Sequence, residues 1–426
     1  MNIVIIGSSA ASKSAVETIR RYQAAPHHLT VITKDVFPYY SRVLLPNYVA
    51  GQLDERKLSF VSPHFVDENS LRIIHGTVVQ VNTADKTVQL EEGERVSYDR
   101  LLICSGAVSE PVPVEGNQPD GVFQLRHLEE ARKIRAMMNR GADCVVVGGG
   151  LIGLKAAWAL NSMGKKVTVI HRSSQLLSTF MDETGSRMAR ELLNRQGINT
   201  LLDDTVSHYK TRDGRVAGVE LNSGTCLPAQ MVIWAAGVAP NHDFLGHSAV
   251  KTHRGILVND KMETSAKDVY AAGDVAEATN LLTQDPDTIT LWTDAALQGK
   301  VAAWNLLGME RLYPGGLTMN SVVFNEVPFI SMGTIREREI RGCEVWTGHQ
   351  RNRSVYRKIV LKDGRIIGAV FVGDVRYAGM VNWDIRSGRL VKDPSAYVSL
   401  VGLESVYRDH HGDITDSIPF DTHTQK

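Results

Sequence analysis

The sequence predicts an α/β protein in which two copies of a strand–turn–helix–strand unit are followed by a smaller α/β region. Two apolar runs, Asn2–Ile6 and Asp143–Val147, are each broken by glycine and followed by a helical pattern and a second apolar run. After Gly308 the pattern changes to short β-like runs. Because one such unit normally holds one nucleotide, the repeat predicts two Rossmann-like dinucleotide-binding domains.

The first unit starts at the second residue. Asn2–Ile6 is short and rich in β-branched residues, which is typical of a buried strand, and Gly7 ends it. A helical pattern covers Ala10–Tyr22, and Leu29–Thr33 predicts the next strand. The second unit repeats this order, with a strand at Asp143–Val147, a helix at Leu154–Met163 and a strand at Lys166–Ile170.

Segments outside the two units indicate where the chain passes between domains. Leu71–Leu90 predicts strands of a β-meander with a turn at Asn82–Lys86. The proline-rich and glycine-rich stretch Glu110–Gly121 predicts one crossing between domains, and a second is predicted near Gly237–Gly246.

The C-terminal part of the chain has a different sequence pattern. Short β-like runs across Thr318–Gly373 predict a separate small α/β domain. From about Tyr407 onward the sequence is polar, with His410, His411 and several aspartates. A surface arm is the favoured interpretation of this tail over a metal site.

Composition and charge exclude several classes of partner. Basic and acidic residues both number 47, so nothing in the balance indicates a nucleic-acid or acidic-membrane partner. No window approaches the roughly 18 apolar residues of a membrane span. The N-terminus has no basic segment before its short apolar run, unlike a signal peptide. We therefore expect a cytoplasmic protein without a membrane span.

The four cysteines do not form a redox or metal centre by their spacing. Cys104, Cys144, Cys226 and Cys343 lie far apart, with no CxxC pair and no cluster suited to zinc or iron–sulfur ligation. Cys104 and Cys144 fall in strand-like apolar runs, where a small buried side chain is the favoured role. The sequence predicts no metal site and no redox chemistry on cysteine.

The second unit carries a complete glycine motif, G-x-G-x-x-G, between a strand and a helix. Gly148 permits the tight turn, Gly150 lets the backbone approach a pyrophosphate, and Gly153 lets the helix pack on the strand. Leu151 and Ile152 open the helix, whose N-terminus carries partial positive charge. A glycine-rich turn without a ligand is the weaker alternative.

The first unit has a degenerate copy of this motif. Only Gly7 is retained, while Ser9 stands at the phosphate position and Ser12 at the packing position, with Ala10 and Ala11 between them. Both serines are small, so the turn stays sterically plausible. Residual nucleotide binding and a lost nucleotide site both remain open from this motif alone.

Three later segments resemble a known flavoprotein superfamily. In Thr264–Glu277 an apolar stretch ends in Ala-Ala-Gly-Asp, which resembles the second FAD fingerprint. Ile233–Asn241, with Ala236 and Gly237, and Leu101–Ala107, with Ser105 and Gly106, resemble the junctions between its FAD and NAD domains. The chain is identified as a member of the FAD/NAD(P)-dependent pyridine nucleotide–disulfide oxidoreductase superfamily. This resemblance implies that Gly273 and Asp274 bind FAD, with Asp274 on its ribityl chain.

The resemblance also implies how the domains are arranged. An FAD-binding domain is expected at 1–112 and 247–317, and an NAD(P)-binding domain at 113–246. A C-terminal α/β domain and tail are expected at 318–426. Further residues expected at the FAD site are Arg42, Pro46, Val79 and Trp292.

Within the superfamily, one segment points to a branch without disulfide chemistry. Pro38–Gly51 resembles the rubredoxin reductases and the flavin domain of assimilatory nitrite reductases, as do two C-terminal segments. In relatives that reduce disulfides, a reactive cysteine precedes the Leu-Pro of this segment. Here Val43 and Leu44 precede Leu45-Pro46, so no thiolate relay is expected.

Three positions depart from the family pattern. The acid expected to bind the adenosine ribose is replaced by Lys34, with Asp35 next to it as a substitute. In the NAD unit, His171 and Arg172 replace the acid, a change that would admit the 2′-phosphate of NADP. NAD is nevertheless favoured, because a histidine is mostly neutral at pH 7.

The third departure concerns the nicotinamide end of the coenzyme. The family has Glu in the helix near the nicotinamide, and Lys155 stands there instead. Lys155 is the candidate catalytic residue, in a position to stabilise negative charge on reduced flavin. The alternative is a solvated lysine on the helix surface, and the sequence favours neither interpretation.

We therefore expect an FAD-containing NAD(P)H oxidoreductase that exchanges electrons with an iron–sulfur or rubredoxin-type partner. The GSSAAS and GLIGLKAA motifs also resemble flavin subunits of anaerobic complexes, such as tungsten-dependent aldehyde oxidoreductase and phenylglyoxylate dehydrogenase. This likeness implies an oligomer or hetero-complex that reduces NAD. A free-standing rubredoxin reductase or NADH oxidase is one alternative. A non-catalytic assembly subunit that has lost FAD is the other.

Overall fold

The computed structural model describes residues 1–114, 118–138, 141, 143–350 and 353–399, and the backbone of 405–410. These residues form two compact units. The first contains Met1–Pro111, Leu125–Ala136 and Gly237–Gly316. The second contains Val112–Gln124, Met137–Ala236 and the chain from Leu317.

Residues 1–111 begin the first unit. The helices are α1 (Ala10–Tyr22), α2 (Leu45–Val49) and α3 (Phe65–Glu68). The strands are β1 (Asn2–Ile6), β2 (His28–Thr33), β3 (Leu71–His75), β4 (Val78–Asn82), β5 (Thr87–Leu90), β6 (Arg95–Ser97), β7 (Arg100–Ile103) and β8 (Ala107–Ser109).

The following stretch, to residue 236, contains the second glycine-motif unit. The strands are β9 (Val122–Gln124), β10 (Asp143–Val147), β11 (Lys166–His171), β12 (Asn199–Leu202), β13 (Val206–Arg212), β14 (Arg215–Leu221), β15 (Cys226–Pro228) and β16 (Met231–Trp234). The helices are α4 (Leu128–Met137), almost all of which belongs to the first unit, α5 (Leu151–Ser162) and α6 (Glu183–Arg195).

The chain then returns to the first unit before it ends in the second. The first unit gains β17 (Val238–Pro240), β18 (Ile256–Leu257), β19 (Val269–Ala271), β20 (Ala276–Thr279), β21 (Pro286–Asp287) and α7 (Trp292–Leu306). The second gains β22 (Met319–Phe324), β23 (Val327–Gly333), β24 (Glu344–Gln350), β25 (Val355–Lys362), β26 (Arg365–Val372), α8 (Ala378–Ser387), α9 (Ser395–Val398) and β27 (Ser405–His410).

Each unit is built on a five-stranded parallel sheet. The strand order is β19-β7-β1-β2-β3 in the first and β12-β11-β10-β16-β9 in the second. In both, the first strand of the glycine-motif unit lies in the middle of the sheet and is apolar on both faces, as a buried parallel strand requires. The second unit also contains the six-stranded antiparallel sheet β22-β23-β26-β25-β24-β27.

The predicted α/β architecture, with two Rossmann-like units, is confirmed. Helix α5 begins at Leu151, three residues before the predicted start at Leu154, because its N-terminus lies directly on the glycine turn. Only part of Leu71–Leu90 forms a meander. β3 joins the parallel sheet beside β2, because Leu71 and Ile74 bury their side chains there, while β4, β5 and β6 form a separate antiparallel sheet.

The predicted surface arm was partly wrong. Ser405–His410 pairs antiparallel with β24, so the first residues of the supposed arm belong to a sheet. The rest of the predicted arm, from residue 411, lies outside the described residues. Within the described part of the chain, no helix has both the length and the apolar composition that crossing a membrane requires.

Candidate flavin and nicotinamide coenzyme sites

The turn after β1 retains the one glycine that its geometry demands. Gly7 has φ of +104°, and a Cβ added there would lie 2.1 Å from the carbonyl oxygen of Cys104. Its amide donates to the carbonyl of Ile32 on the neighbouring strand at 2.8 Å. Since no side chain fits, the degenerate first motif still makes the tight turn of a nucleotide-binding unit.

The serines of this motif fit their positions without strain. Ser9 precedes α1 with φ of −129°, an ordinary extended value, and its hydroxyl does not cap the helix. Ser12 is buried and shares a hydrogen bond of 3.2 Å with the Tyr39 hydroxyl. Ala10 and Ala11 are buried in the first turn of α1. The helix N-terminus therefore keeps amides and a hydroxyl for a phosphate, which fits an FAD pyrophosphate.

Near the end of β2, the buried acidic residue is Asp35. Lys34 is exposed, whereas Asp35 is 8% exposed. Arg42 donates to the Asp35 carboxylate at 2.5 Å, and His127 Nδ1 lies 3.4 Å from it. Burial alone would raise the pKa of Asp35, but His127 and Arg42 together hold it below its usual value. The structure thus joins two predicted residues, Asp35 and Arg42, and leaves Lys34 apart from them.

The predicted ribityl-binding turn follows β19. Gly273 has φ of +85°, and its amide donates to Gln298 Oε1 of α7 at 2.8 Å. The Asp274 carboxylate lies 3.6 Å from Arg126, whose side chain is 12% exposed. Arg126 Nε donates to the carbonyl of Ala107 at 2.6 Å. Burial lowers the pKa of Arg126, and the charge of Asp274 opposes that shift.

Arg126 is a candidate site residue that the sequence reasoning missed. It falls inside 113–246, the range predicted for the NAD(P) domain, but the structure places it in the first unit. Its charge also interacts with that of Arg42, so two guanidinium groups lie near each other in this unit. Two cations beside Asp35 and Asp274 suit an anionic pyrophosphate and the hydroxyls of a sugar or ribityl chain.

The predicted junction after β7 is held by hydrogen bonds. Ser105 Oγ donates to the carbonyl of Asn241 at 2.7 Å, and the Asn241 amide donates to the carbonyl of Gly106 at 2.9 Å. Gly106 has φ of +69°, which favours glycine. β8 and β17 pair next to this junction.

The remaining predicted flavin residues lie on separate elements. Pro46 is buried in the first turn of α2. Trp292 begins α7, is 40% exposed, and meets Phe60 edge to face with ring centroids 4.5 Å apart. Val79 is 44% exposed on β4, in the three-stranded antiparallel sheet. A role in FAD binding stays a prediction for each of the three.

In the second unit, the three motif glycines are needed for different physical reasons. A Cβ on Gly148, where φ is +125°, would lie 2.2 Å from the carbonyl oxygen of Ala235. A Cβ on Gly153 would lie 1.9 Å from the carbonyl oxygen of Gly148. A Cβ on Gly150 would meet no atom within 4 Å. Folding thus demands Gly148 and Gly153, whereas the space beside Gly150 suits a pyrophosphate.

His171, the last residue of β11, contacts the glycine loop. The Gly149 amide donates to His171 Nδ1 at 3.1 Å. His171 Nε2 is buried and has no hydrogen-bond partner among the described residues. Burial and the charge of Arg172 lower the pKa of His171, so its imidazole is neutral at pH 7. Arg172 is exposed and makes no ion pair with any residue that the structure describes.

Other predicted coenzyme residues flank this loop. Leu151 and Ile152 open α5, and Ile152 is 41% exposed. Lys155 is half-buried on α5 and has no hydrogen bond or ion pair within the described part of the chain. Burial lowers its pKa. Ala236 is exposed after β16, and Gly237, with φ of +146°, belongs to the first unit.

The three buried cysteines are poorly suited to thiolate chemistry, whereas the exposed Cys226 accepts a hydrogen bond from Lys210 Nζ at 2.7 Å. Cys104, Cys144 and Cys343 are buried, and Cys226 is exposed; none forms a disulfide. Burial raises the pKa of all three buried thiols, to about 11 for Cys144. Val43, which is 55% exposed, and Leu44 precede Leu45-Pro46, the segment in which the resemblance implies a cysteine in disulfide-reducing relatives.

Comparison with known proteins identifies the family. The model of the pyridine nucleotide-disulphide oxidoreductase family matches residues 1–299. The chain belongs to this family. The model of the rubredoxin NAD⁺ reductase C-terminal domain matches residues 319–388. The predicted family is thereby confirmed, with FAD and NAD(P) as its cofactors.

Similar proteins include members of several electron-transfer systems. The chain is 29% identical to nitrite reductase [NAD(P)H] of Bacillus subtilis over 87% of its own length and 45% of that protein, so it spans less than half of this relative. It is 30% identical to the epsilon subunit of NADH-dependent phenylglyoxylate dehydrogenase of Aromatoleum evansii, over 89% of this chain and 90% of that subunit. These matches confirm the branch predicted from Pro38–Gly51.

A solved structure shows the same fold. The NADH:rubredoxin oxidoreductase of Clostridium acetobutylicum superposes with a TM-score of 0.76 at 25% identity, covering 92% of this chain and 97% of that one. Its likeness extends across both dinucleotide units and the C-terminal region.

Proposed function

We propose that this chain passes electrons between a nicotinamide coenzyme and an iron–sulfur or rubredoxin-type protein. The favoured context is a larger redox complex in which this chain is the flavin subunit and reduces NAD⁺. Bound flavin supplies the exchange between a two-electron hydride and single electrons. Relatives named as an NADH-dependent dehydrogenase subunit and as an NADH:rubredoxin oxidoreductase support this assignment.

The observation that carries the proposal is the absence of a thiol where disulfide-reducing relatives have one. Val43 and Leu44 precede Leu45-Pro46 and carry no thiol, and the buried thiols elsewhere have raised pKa values. A disulfide needs a thiolate to accept electrons from flavin by covalent exchange. We therefore propose an external one-electron carrier as the acceptor of the electrons.

The residues of the two units take the following roles. In the first unit, the loop from Gly7 to Ala11 holds the FAD pyrophosphate, with Asp35 near the adenosine ribose and Asp274 on the ribityl chain. Arg126 orients Asp274. In the second unit, Gly148–Gly153 holds the pyrophosphate of NAD(H). The three domains expected from the sequence, with boundaries at 112, 246 and 317, are part of this proposal with one change: Leu125–Ala136 and the residues from Gly237 to Gly246 belong to the first unit.

The test measures where the electrons go. The purified, FAD-loaded protein is reduced with NADH without oxygen and then mixed with rubredoxin, a ferredoxin or oxygen in a stopped-flow instrument. Reoxidation by an iron–sulfur or rubredoxin acceptor should be at least about tenfold faster than by oxygen. Mass spectrometry of the natively purified protein should also find iron–sulfur or rubredoxin-type partners.

Two outcomes would contradict the proposal, and each would support one of the alternatives. Rapid reoxidation by oxygen alone would make the protein an NADH oxidase, the free-standing alternative. Purification without flavin, together with failure to bind added FAD, would make it a non-catalytic assembly subunit.

A further inference from the structure

We propose that His171 is a proton-controlled specificity residue: its neutral form braces the glycine loop for NAD(H), and its protonated form, with Arg172, admits NADP(H). The proposal rests on the assignment of Gly148–Gly153 to the nicotinamide coenzyme. It goes beyond that assignment by making coenzyme choice depend on one proton taken from solvent.

The geometry fixes the tautomer of His171. Because the Gly149 amide donates to Nδ1 at 3.1 Å, the neutral ring carries its proton on Nε2. This N–H is buried and has no hydrogen-bond partner within 3.5 Å among the described residues, although the Gln175 backbone is close enough to favour a proton on the ring. A buried donor without a partner costs free energy, so a ligand oxygen at this place would be stabilised. In a Rossmann unit, the end of the second strand faces the adenosine ribose, whose hydroxyls can accept this hydrogen bond.

The His171 imidazole packs tightly against Gly149 of the glycine loop. A Cβ on Gly149 would lie 2.8 Å from His171 Cγ and 2.6 Å from the Leu176 side chain. The imidazole is therefore packed directly against the loop that receives the coenzyme. A change in its protonation state acts on that loop.

Protonation converts Nδ1 from an acceptor into a donor. The Gly149 amide then faces a second N–H, and their hydrogen bond is lost, which disfavours the cation while no coenzyme is bound. A 2′-phosphate reverses the balance, because its negative charge stabilises both the imidazolium and the nearby guanidinium of Arg172. Binding of NADP(H) should thus take up a proton at His171, and binding of NAD(H) should not.

The surrounding charges set the direction of the effect. Arg172 at the end of the same strand lowers the pKa of His171, as does burial, whereas Asp203 after β12 and the backbone of Gln175 oppose the shift. The free imidazole is thus neutral above about pH 6.5. A bound 2′-phosphate raises its pKa. Between the pKa of His171 in the free protein and its pKa with NADP(H) bound, each fall of one pH unit should raise the affinity for NADP(H) relative to NAD(H) by up to about tenfold.

The experiment measures binding of NAD⁺ and NADP⁺ to the FAD-loaded protein by isothermal titration calorimetry from pH 5.5 to 8.5. Neither ligand needs to react, so the readout is independent of turnover. The ratio of the two dissociation constants should shift toward NADP⁺ as the pH falls. Titrations in two buffers of different ionisation enthalpy should show additional proton uptake with NADP⁺.

Three variants separate the proposal from a purely structural role. His171→Gln keeps an acceptor for Gly149 but cannot take up a proton, and it should remove the His171-dependent proton uptake. His171→Asp supplies a fixed negative charge and should favour NAD⁺ by at least about tenfold at every pH. His208→Gln, on exposed strand β13 of the same unit, is the matched control and should behave like the unaltered protein.

The outcomes distinguish failure of the role proposed for His171 from failure of the proposed coenzyme site. A dissociation-constant ratio that is independent of pH, or equal proton uptake in His171→Gln, would overturn the role of His171 and leave the coenzyme site in place. Failure of both NAD⁺ and NADP⁺ to bind the FAD-loaded protein would overturn the coenzyme site itself.

Discussion

At the scale of single residues, the candidate flavin site depends on pairs that lie far apart in the sequence. Asp35 meets Arg42 and His127, and Asp274 meets Arg126. Both carboxylates come from sequence motifs, whereas of their three partners only Arg42 was predicted. Such pairs keep charged groups stable in partly buried surroundings until a ligand supplies further hydrogen bonds.

Asp274 provides the first test at this scale. Asp274→Ala should release most of the FAD, because the ribityl hydroxyls lose their acceptor and Arg126 loses its ion pair. Asp274→Asn keeps the size and should retain more flavin. The measurement is the ratio of flavin to protein absorbance after gel filtration, with Asp285→Ala, at an exposed position of the same unit, as the control. Full flavin occupancy in Asp274→Ala would show that another residue holds the ribityl chain.

Lys155 provides a second test. If its cation stabilises reduced flavin, Lys155→Glu should lower the flavin midpoint potential by an amount equal to about 1 kcal/mol, with Lys155→Met intermediate. Burial lowers the Lys155 pKa, so the effect is present at low pH and lost as the pH rises through that pKa. Redox titration at several pH values measures this, with the exposed Lys166→Met as the control. Unchanged flavin midpoint potentials in both Lys155 variants would mean that Lys155 is a solvated surface lysine without influence on the flavin.

At the scale of elements, the β10–α5 turn separates folding from binding. Gly153 is required because α5 packs against the carbonyl of Gly148, whereas nothing in the protein restricts a Cβ on Gly150. The motif already predicts different roles for the two glycines. The neighbouring atoms show the contact that requires Gly153 and the open space beside Gly150.

Two substitutions test this difference. Gly150→Ala should leave the free energy of unfolding nearly unchanged and weaken NADH binding at least about tenfold, equal to about 1.4 kcal/mol. Gly153→Ala should destabilise the protein by about 1–3 kcal/mol, because the helix must move away from the strand. Denaturant unfolding and NADH titration measure both.

Gly379→Ala, at an exposed position of α8 where the added Cβ would meet no atom within 4 Å, is the matched control. Ala has the higher helix propensity, so this variant should be slightly more stable. Normal NADH binding by Gly150→Ala would remove Gly150 from the coenzyme site.

At the scale of the whole molecule, paired carboxylates determine the response to acid. The hydrogen bond from Arg376, opposed by burial and supported by Arg357, lowers the pKa of Asp374 to about 2. Asp35, Asp268 and Glu277 also have lowered pKa values in the first unit. A lowered pKa in the folded state contributes stability above the unfolded-state pKa, and this stability is lost as the pH falls through the folded-state value.

The protein should therefore keep its stability from pH 7 to about pH 5 and lose it progressively below pH 4. Asp374 should account for up to about 2 kcal/mol of that loss, less any screening by solvent at the exposed Arg376. Asp374→Asn should be less stable at pH 7 and less sensitive to acid. Urea unfolding between pH 7 and pH 3 measures the slope. Asp363→Asn, in the exposed turn between β25 and β26, is the control and should keep the acid sensitivity of the unaltered protein.

The sequence by itself determined the two dinucleotide units, the family and the missing thiol. These features are local: a buried strand, a glycine turn and a helix lie within about 30 residues, and their pattern directly reflects backbone geometry. The bounds of β1, α1 and β10 were predicted to the residue for this reason.

Only the tertiary structure decided which side chains meet. Burial distinguished Asp35 from Lys34, and the return of residues 125–136 to the first unit brought Arg126 to Asp274. The hydrogen bond from Gly149 decided that His171 is an acceptor on Nδ1. Charge and protonation depend on neighbours that are distant in the chain, and folding alone determines those neighbours.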